Sequence, residues 1–327
     1  MKSLAKLYME RTELAGLVLL IVLAATFQIL SDGNFLSYAN LRNIASVFPE
    51  VALMAIGVTL LMICGEFDLS VGSVFALMPM TMAVSMTSGA PFGLAMVLGF
   101  AVCVAIGFIN GYISLKFDIP SFITTLGMLF IARSLTVVVS GGFPPLLSAD
   151  IPTWMFTGFV GPGNFFRMSF LWLTLIAVLA SILLSKTNFG NWIKATGGFY
   201  DAAASMGIPV NRVKIICFII CSILAGFAGL IQVLRFGSPL PSLGEGMELQ
   251  AVAAAVIGGT LLRGGIGTVM GGIIGVLLIR VIDNGLVLVG VDANWFKFAI
   301  GFLMIFAVVA NSWVSAQAKK IKLEVGS

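Results

Sequence analysis

Lys186–Lys214 reads KTNFGNWIKATGGFYDAAASMGIPVNRVK. The sequence on either side is apolar enough to sit in lipid, and this segment is not. It carries Lys186, Lys194, Arg212 and Lys214, the acid Asp201, and a small amphipathic core, FYDAAASMGI, at 199–208. It reads as a cytoplasmic loop (186–212) with one short helix that docks onto a soluble partner. The rest of the chain is then a membrane body that the loop drives.

Composition supports that division. Of 327 residues, 59% are hydrophobic and 10% charged, against roughly 25% charged in soluble domains. A span takes about 20 mostly apolar residues, so the chain reads as an all-α integral membrane protein of about ten helices. Helices are expected near 13–30, 44–64, 72–88, 92–114, 120–140, 168–185, 213–233, 247–262, 266–289 and 294–313. The first is read as a retained helix rather than a cleaved signal peptide. The segments at 72–88 and 247–262 are short and rich in Gly, Ala and Ser. They are expected to be broken or re-entrant, which is tolerated where backbone is buried in protein or lines a polar cavity.

With both termini cytoplasmic, Lys2, Lys6, Arg11, Lys116, the four cations of the central loop, Arg263, Lys319, Lys320 and Lys322 fall inside. Arg42, Arg167 and Arg235 fall outside, as the positive-inside rule favours. The net charge of +4 is thus read as topology, with lipid as the partner and no nucleic acid. The outer segment 141–167, with Trp154, Phe156 and Phe159, is either an interfacial aromatic segment or a docking surface for an extracytoplasmic partner.

An internal repeat is visible. Asn110–Ile131 aligns without gaps on Asn284–Ile305, matching Asn110 with Asn284, Gly111 with Gly285, Asp118 with Asp292 and Gly127 with Gly301. The topology puts Asp118 inside and Asp292 outside. The halves, about 40–140 and 213–313, are therefore inverted within a single domain, a layout that places the substrate path at the repeat interface. Gly267, Gly271 and Gly275, and likewise Gly107 and Gly111, suit close helix packing.

The polar residues inside are few. GEFDLSVGS at 65–73 puts two carboxylates between apolar runs, where translocon scales charge about 2.5–3.5 kcal/mol for an Asp at a helix centre. Asp68 and Ser70 are expected to cap the following helix, and Glu66, Asp68 or Ser70 also to line the path. Gly244–Leu249 opens the second short helix, with acids suited to its positive end. Arg280 and Asp283 are spaced to pair. Asn110 and Asn284 end matching helices and are candidate amides beside the pathway. Cys217 and Cys221 read as packing residues. The chain has no His, so imidazole bases and Ser-His-Asp triads are excluded and no enzyme chemistry is expected.

These motifs resemble the permease subunits of ABC importers for ribose and related sugars. The family carries a GGxDLSVGS-like motif, here GEFDLSVGS, and a cytoplasmic GGNxxAAxxSGI-like loop, here GGFYDAAASMGI at 197–208. It also carries a GGxxxxGGxGT…NGL pattern, here Gly258–Thr268 and Asn284–Leu286. The resemblance covers about 40–313. Glu66 stands where the family usually has a second Gly, Phe199 where it has Asn, and Ala204 where a basic residue is common. The resemblance implies a second permease subunit, most simply another copy, a separate cytoplasmic ATPase and an extracytoplasmic sugar-binding protein in a bacterial inner membrane. No GxxxxGK[ST] phosphate loop is present, so no cofactor is expected on this chain and ATP would be bound by the partner. The docking element would be 197–209, through Gly198, Asp201 and an apolar face of Ala202, Ala203, Gly207 and Ile208. Two rival readings are an ion-coupled carrier using Arg280, Asp283 or Lys297, and a permease for branched-chain amino acids or nucleosides.

Overall fold

The computed structural model describes residues 12–147, 151–292, 294–303, 305–306 and 309. The chain is helical almost throughout. In order the helices are α1 (Thr12–Leu30), α2 (Tyr38–Ile63), α3 (Val71–Thr87), α4 (Phe92–Lys116), α5 (Ser121–Val139), the single turn α6 (Trp154–Thr157), α7 (Met168–Lys186), α8 (Asn188–Gly198), α9 (Tyr200–Ser205), α10 (Val210–Phe236), α11 (Met247–Ile257) and α12 (Val269–Leu288). Residues 295–303 are again helical. A two-residue ribbon pairs Phe159–Val160 with Phe166–Arg167. Among the described residues, six helices (α2, α4, α5, α7, α10 and α12) are long and apolar enough to cross a membrane. α3 and α11 are apolar but shorter, as expected of them.

Burial separates an inner set from an outer one. Every residue of α2 from Phe48 to Ile63 is buried. α10 packs across α2, α3 and α4, and α12 packs across α1, α2 and α11. The outer helices keep bulky apolar side chains exposed, among them Val97 and Phe108 on α4, Phe130 and Val138 on α5, and Leu171 and Leu179 on α7. Such a surface is costly in water and suited to hydrocarbon. Cys64, Cys103, Cys217 and Cys221 are buried thiols inside the packed body.

Three boundaries differ from expectation, each for a local reason. α2 starts at Tyr38 because the Ser37 hydroxyl accepts the Asn40 N–H at 3.4 Å, which draws the polar turn Asn40–Asn43 into the helix. α11 ends at Ile257 because Gly259 takes φ +92°. The central loop holds two helices, not one. Thr187 caps α8 by accepting the Gly190 N–H at 3.1 Å, and the chain breaks at Phe199 before α9.

Small residues let the inner helices touch at backbone distance. A Cβ on Gly275 would lie 1.9 Å from the Ala254 carbonyl oxygen, whereas one on Gly127 would meet nothing within 4 Å. Gly275→Val is expected to destabilise the body by about 1–3 kcal/mol through overpacking. Gly127→Ala is expected to be neutral or slightly stabilising. Thermal unfolding of the two purified variants in detergent checks the contrast.

Candidate functional site

The three glycine-rich motifs, far apart in sequence, converge on one point. Gly65 ends α2 with φ +90°. Gly197, in the last turn of α8, lies so close that a Cβ there would sit 1.9 Å from the Ile63 carbonyl oxygen and 2.8 Å from the Gly265 nitrogen. The Gly265 N–H donates to the Ile63 carbonyl at 2.8 Å. A Cβ on Gly264 would meet the Gly197 carbonyl oxygen at 2.8 Å and the Gly65 Cα at 2.9 Å. The central loop therefore rests, backbone on backbone, against the chain entering α3 and the chain leaving α11.

From this seat, residues 66–73 run alongside α5. The Phe67 N–H donates to Ser121 Oγ at 3.0 Å, the Leu69 N–H to Thr125 Oγ1 at 3.1 Å, and Ser73 Oγ to the Leu129 carbonyl at 2.8 Å. Asp68, Ser70 and Asn110 come together, all fully buried. Asp68 Oδ1 accepts from the Ser70 N–H at 2.8 Å and the Ser70 hydroxyl at 2.6 Å. Asn110 Nδ2 donates to Ser70 Oγ at 2.9 Å. The expected helix cap is corrected here. Ser70 occupies the N-cap position of α3 without a side-chain cap bond, because its hydroxyl donates to Asp68 and accepts from Asn110. Asn284 lies elsewhere and exchanges two 2.8 Å amide bonds with Asn40.

Glu66 faces away from that buried node. It pairs with Lys214, whose ammonium lies 4.9 Å from the centre of the Tyr200 ring. The Tyr200 hydroxyl donates to Asn211 Oδ1 at 3.2 Å. Glu66, Ser114, Asp118, Tyr200, Asn211 and Lys214 are among the residues lining a cavity of about 360 Å³. The cavity and the ion pair connect the 65–73 motif to the central loop through side chains as well as backbone.

The exposure of the 198–208 residues departs from a single outward apolar face. Gly198, Asp201, Ala202 and Gly207 are exposed, but Ala203 is buried and Ile208 packs half-buried on the body. The side chains most available to a partner are Phe199, 81% exposed, and Met206, 84% exposed. Ala203 and Ile208 point inward because α9 has its own body-facing side. Helical spacing alone could not say which side of so short a helix faces out.

Arg133 was missed in the sequence. Its signal was a lone cation in the apolar run of α5, about 18 Å from the start of that helix. Its guanidinium donates to the Pro241 carbonyl, to the Leu243 carbonyl at 2.7 Å and to the Gly72 carbonyl at 3.1 Å. It thereby ties the chain entering α11 to the first turn of α3. The Arg280–Asp283 pair forms at 3.2 Å, as expected from its spacing.

Residues 40–308 match the family described as the permease component of branched-chain amino acid transport systems. The chain belongs to that permease family. It is 34% identical to a probable ABC transporter permease of Sinorhizobium fredii over 95% of this chain and 91% of that protein. It is 35% identical to the ribose import permease RbsC of Escherichia coli, over 93% of this chain and 94% of the relative. It is 32% identical to the xylose/arabinose import permease XylH of Sulfolobus acidocaldarius, over 94% and 86%. No solved structure matches. The permease is thus a multi-pass membrane component of an ABC importer and works with an ATPase and a substrate-binding partner. Its family is one of transporters rather than enzymes.

Asp68→Ala leaves the Ser70 N–H and the Ser70 hydroxyl without their acceptor in a buried place. Each orphaned group costs about 1–3 kcal/mol. A lowered melting temperature is expected, with Asp68→Asn intermediate, since its amide oxygen still accepts one of these bonds. Thermal unfolding of the two variants measures it.

Proposed function

We propose that the permease imports a monosaccharide or related polyol across a bacterial inner membrane, as one of two copies in the membrane body, with both termini cytoplasmic. A separate cytoplasmic ATPase, which binds the ATP, docks on the 197–209 segment, and this chain carries no cofactor. An extracytoplasmic binding protein delivers the sugar. The sugar assignment draws on the ribose and xylose/arabinose relatives and on the GEFDLSVGS motif.

One observation carries the mechanism: the central loop touches both interrupted helices at the Gly65, Gly197 and Gly264–Gly265 seat. Phe199 and Met206 sit in a groove of the ATPase, with Gly198, Asp201, Ala202 and Gly207 around them and Ala203 and Ile208 anchoring the helix to the body. When the ATPase closes, the seat moves and carries with it the chain entering α3 and the chain leaving α11. Lys214 and Tyr200 pass the same displacement to Glu66. The two halves then rock as inverted repeats about a path between them. Ten spans fit this reading: α4, a short turn and α5 correspond to α12, a short turn and the helix from 295. Asp118 and Gly290 both take positive φ in those turns. Glu66 lines the cytoplasmic part of the path, while Asp68, Ser70 and Asn110 hold its wall from behind. Asn284 holds the matching helix end through Asn40.

The test is uptake of labelled pentoses and polyols into proteoliposomes holding the permease, its ATPase and its binding protein. Uptake is expected to need all three and ATP. Phe199→Ser with Met206→Ser removes the two exposed anchors and is expected to lower uptake at least about tenfold, the equivalent of about 1.4 kcal/mol of lost docking, at unchanged permease content. Lys214→Met is expected to lower uptake per ATP hydrolysed. Uptake by the permease alone, following an ion gradient and indifferent to these changes, would replace this reading with an ion-coupled carrier.

A further inference from the structure

The two short helices begin at the same place. A Cβ on Gly72, in the first turn of α3, would lie 2.1 Å from Glu248 Oε2 and 2.6 Å from the Gly244 carbonyl oxygen. Gly244 and Glu248 flank the start of α11. Arg133 bridges the same two chain ends. So two helix N-termini, a guanidinium and a carboxylate meet beside α5, well inside a helix long enough to cross the bilayer.

Glu248 is out of keeping with a helix-end acid that merely complements a dipole. It is 9% exposed. Its Oε1 accepts the Gly246 N–H at 3.2 Å, while Oε2 is buried with no hydrogen-bond partner among the described residues. A buried carboxylate oxygen without a partner costs more than a paired one. Intramembrane acids of this kind mark substrate pathways. Exposed Ser242 and Glu245 on the adjoining loop add hydroxyl and carboxylate groups that lipid would not accommodate. Arg133 has more N–H donors than its three carbonyl bonds use.

Building on the sugar-importer reading, we propose that Glu248 and Arg133 form a contact site for the sugar in mid-membrane, with Glu248 Oε2 accepting a sugar hydroxyl. Here the site is shut, because Gly72 lies directly over Glu248 Oε2 and the Gly244 carbonyl oxygen lies against Gly72. The seat described above holds the chain that enters α3 and the chain that leaves α11. Its movement parts Gly72 from Gly244 and uncovers Oε2. A neutral polyhydroxyl compound suits the place: it can accept from a guanidinium and donate to a carboxylate without adding net charge.

Glu248→Gln keeps an oxygen for the Gly246 N–H and removes the charge at nearly constant shape. The reconstituted importer is assayed for ATP-driven uptake of ribose, xylose and arabinose, for uptake of single-deoxy analogues of whichever sugar the wild type takes, and for ATP hydrolysis stimulated by loaded binding protein. With Glu248→Gln, hydrolysis and melting temperature are expected to stay at wild-type values. Uptake of the parent sugar should fall about tenfold, in line with one lost hydrogen bond to a charged group. The preference over one deoxy analogue should shrink. Unchanged uptake and unchanged preference would overturn the site. A parallel fall in uptake, hydrolysis and melting temperature with the preference intact would assign Glu248 a purely structural role and also overturn it. If wild type takes up none of these sugars while ATP hydrolysis runs, the importer reading for sugars fails first, and this site fails with it.

Discussion

A chain that leaves the helix inside a bilayer must find partners for its N–H and C=O groups without water. The same requirement holds for the chain packed inside the protein ahead of α3 and ahead of α11. Along 66–73 the N–H groups go to the hydroxyls of Ser121 and Thr125 and to the carboxylate of Asp68. Along 241–243 the carbonyls go to Arg133. Both sets of partners bear on one helix, α5, which supplies the two hydroxyls and the guanidinium. α5 is therefore a peripheral helix by exposure and a central one by hydrogen bonding.

The buried node and the ion pair divide the acidic residues of the 65–73 motif by function. Asp68 is enclosed and spends Oδ1 on the N–H and hydroxyl of Ser70, with Asn110 holding the Ser70 hydroxyl from α4. Glu66, two residues earlier, points at Lys214 and the cavity beside the central loop. The two carboxylates part because the chain turns between them, so that Asp68 reaches Ser70 while Glu66 reaches Lys214. One is enclosed in the chain ahead of α3 and the other joins that chain to the central loop region through Lys214.

Glycine has a mechanical meaning here that packing alone does not convey. The contacts among Gly65, Gly197, Gly264 and Gly265 bring three backbones together with no side chain between them. No side chain therefore lies between α8 and the chain segments next to α3 and α11. Interiors packed this closely respond as rigid bodies, the property on which the proposed coupling to the ATPase relies.

Much of this was legible in the linear sequence. Long apolar runs imposed helices because lipid tolerates no other open backbone, and the Gly-, Ala- and Ser-rich short segments marked where α3 and α11 would stand. The family was readable from GEFDLSVGS, GGFYDAAASMGI and the later glycine pattern. Pair spacing was enough for Arg280 and Asp283, since i and i+3 share a helix face. What only the tertiary structure decided were relations between distant segments. Ser70 as a hydroxyl held by Asp68, Phe199 and Met206 as the outward face, and Arg133 as the brace between Gly72 and Leu243 all depend on which neighbour lies opposite. Periodicity tells which residues share a face, but the partner of that face is chosen by packing, which for Arg133 joins Gly72 and Leu243, 61 and 110 residues away.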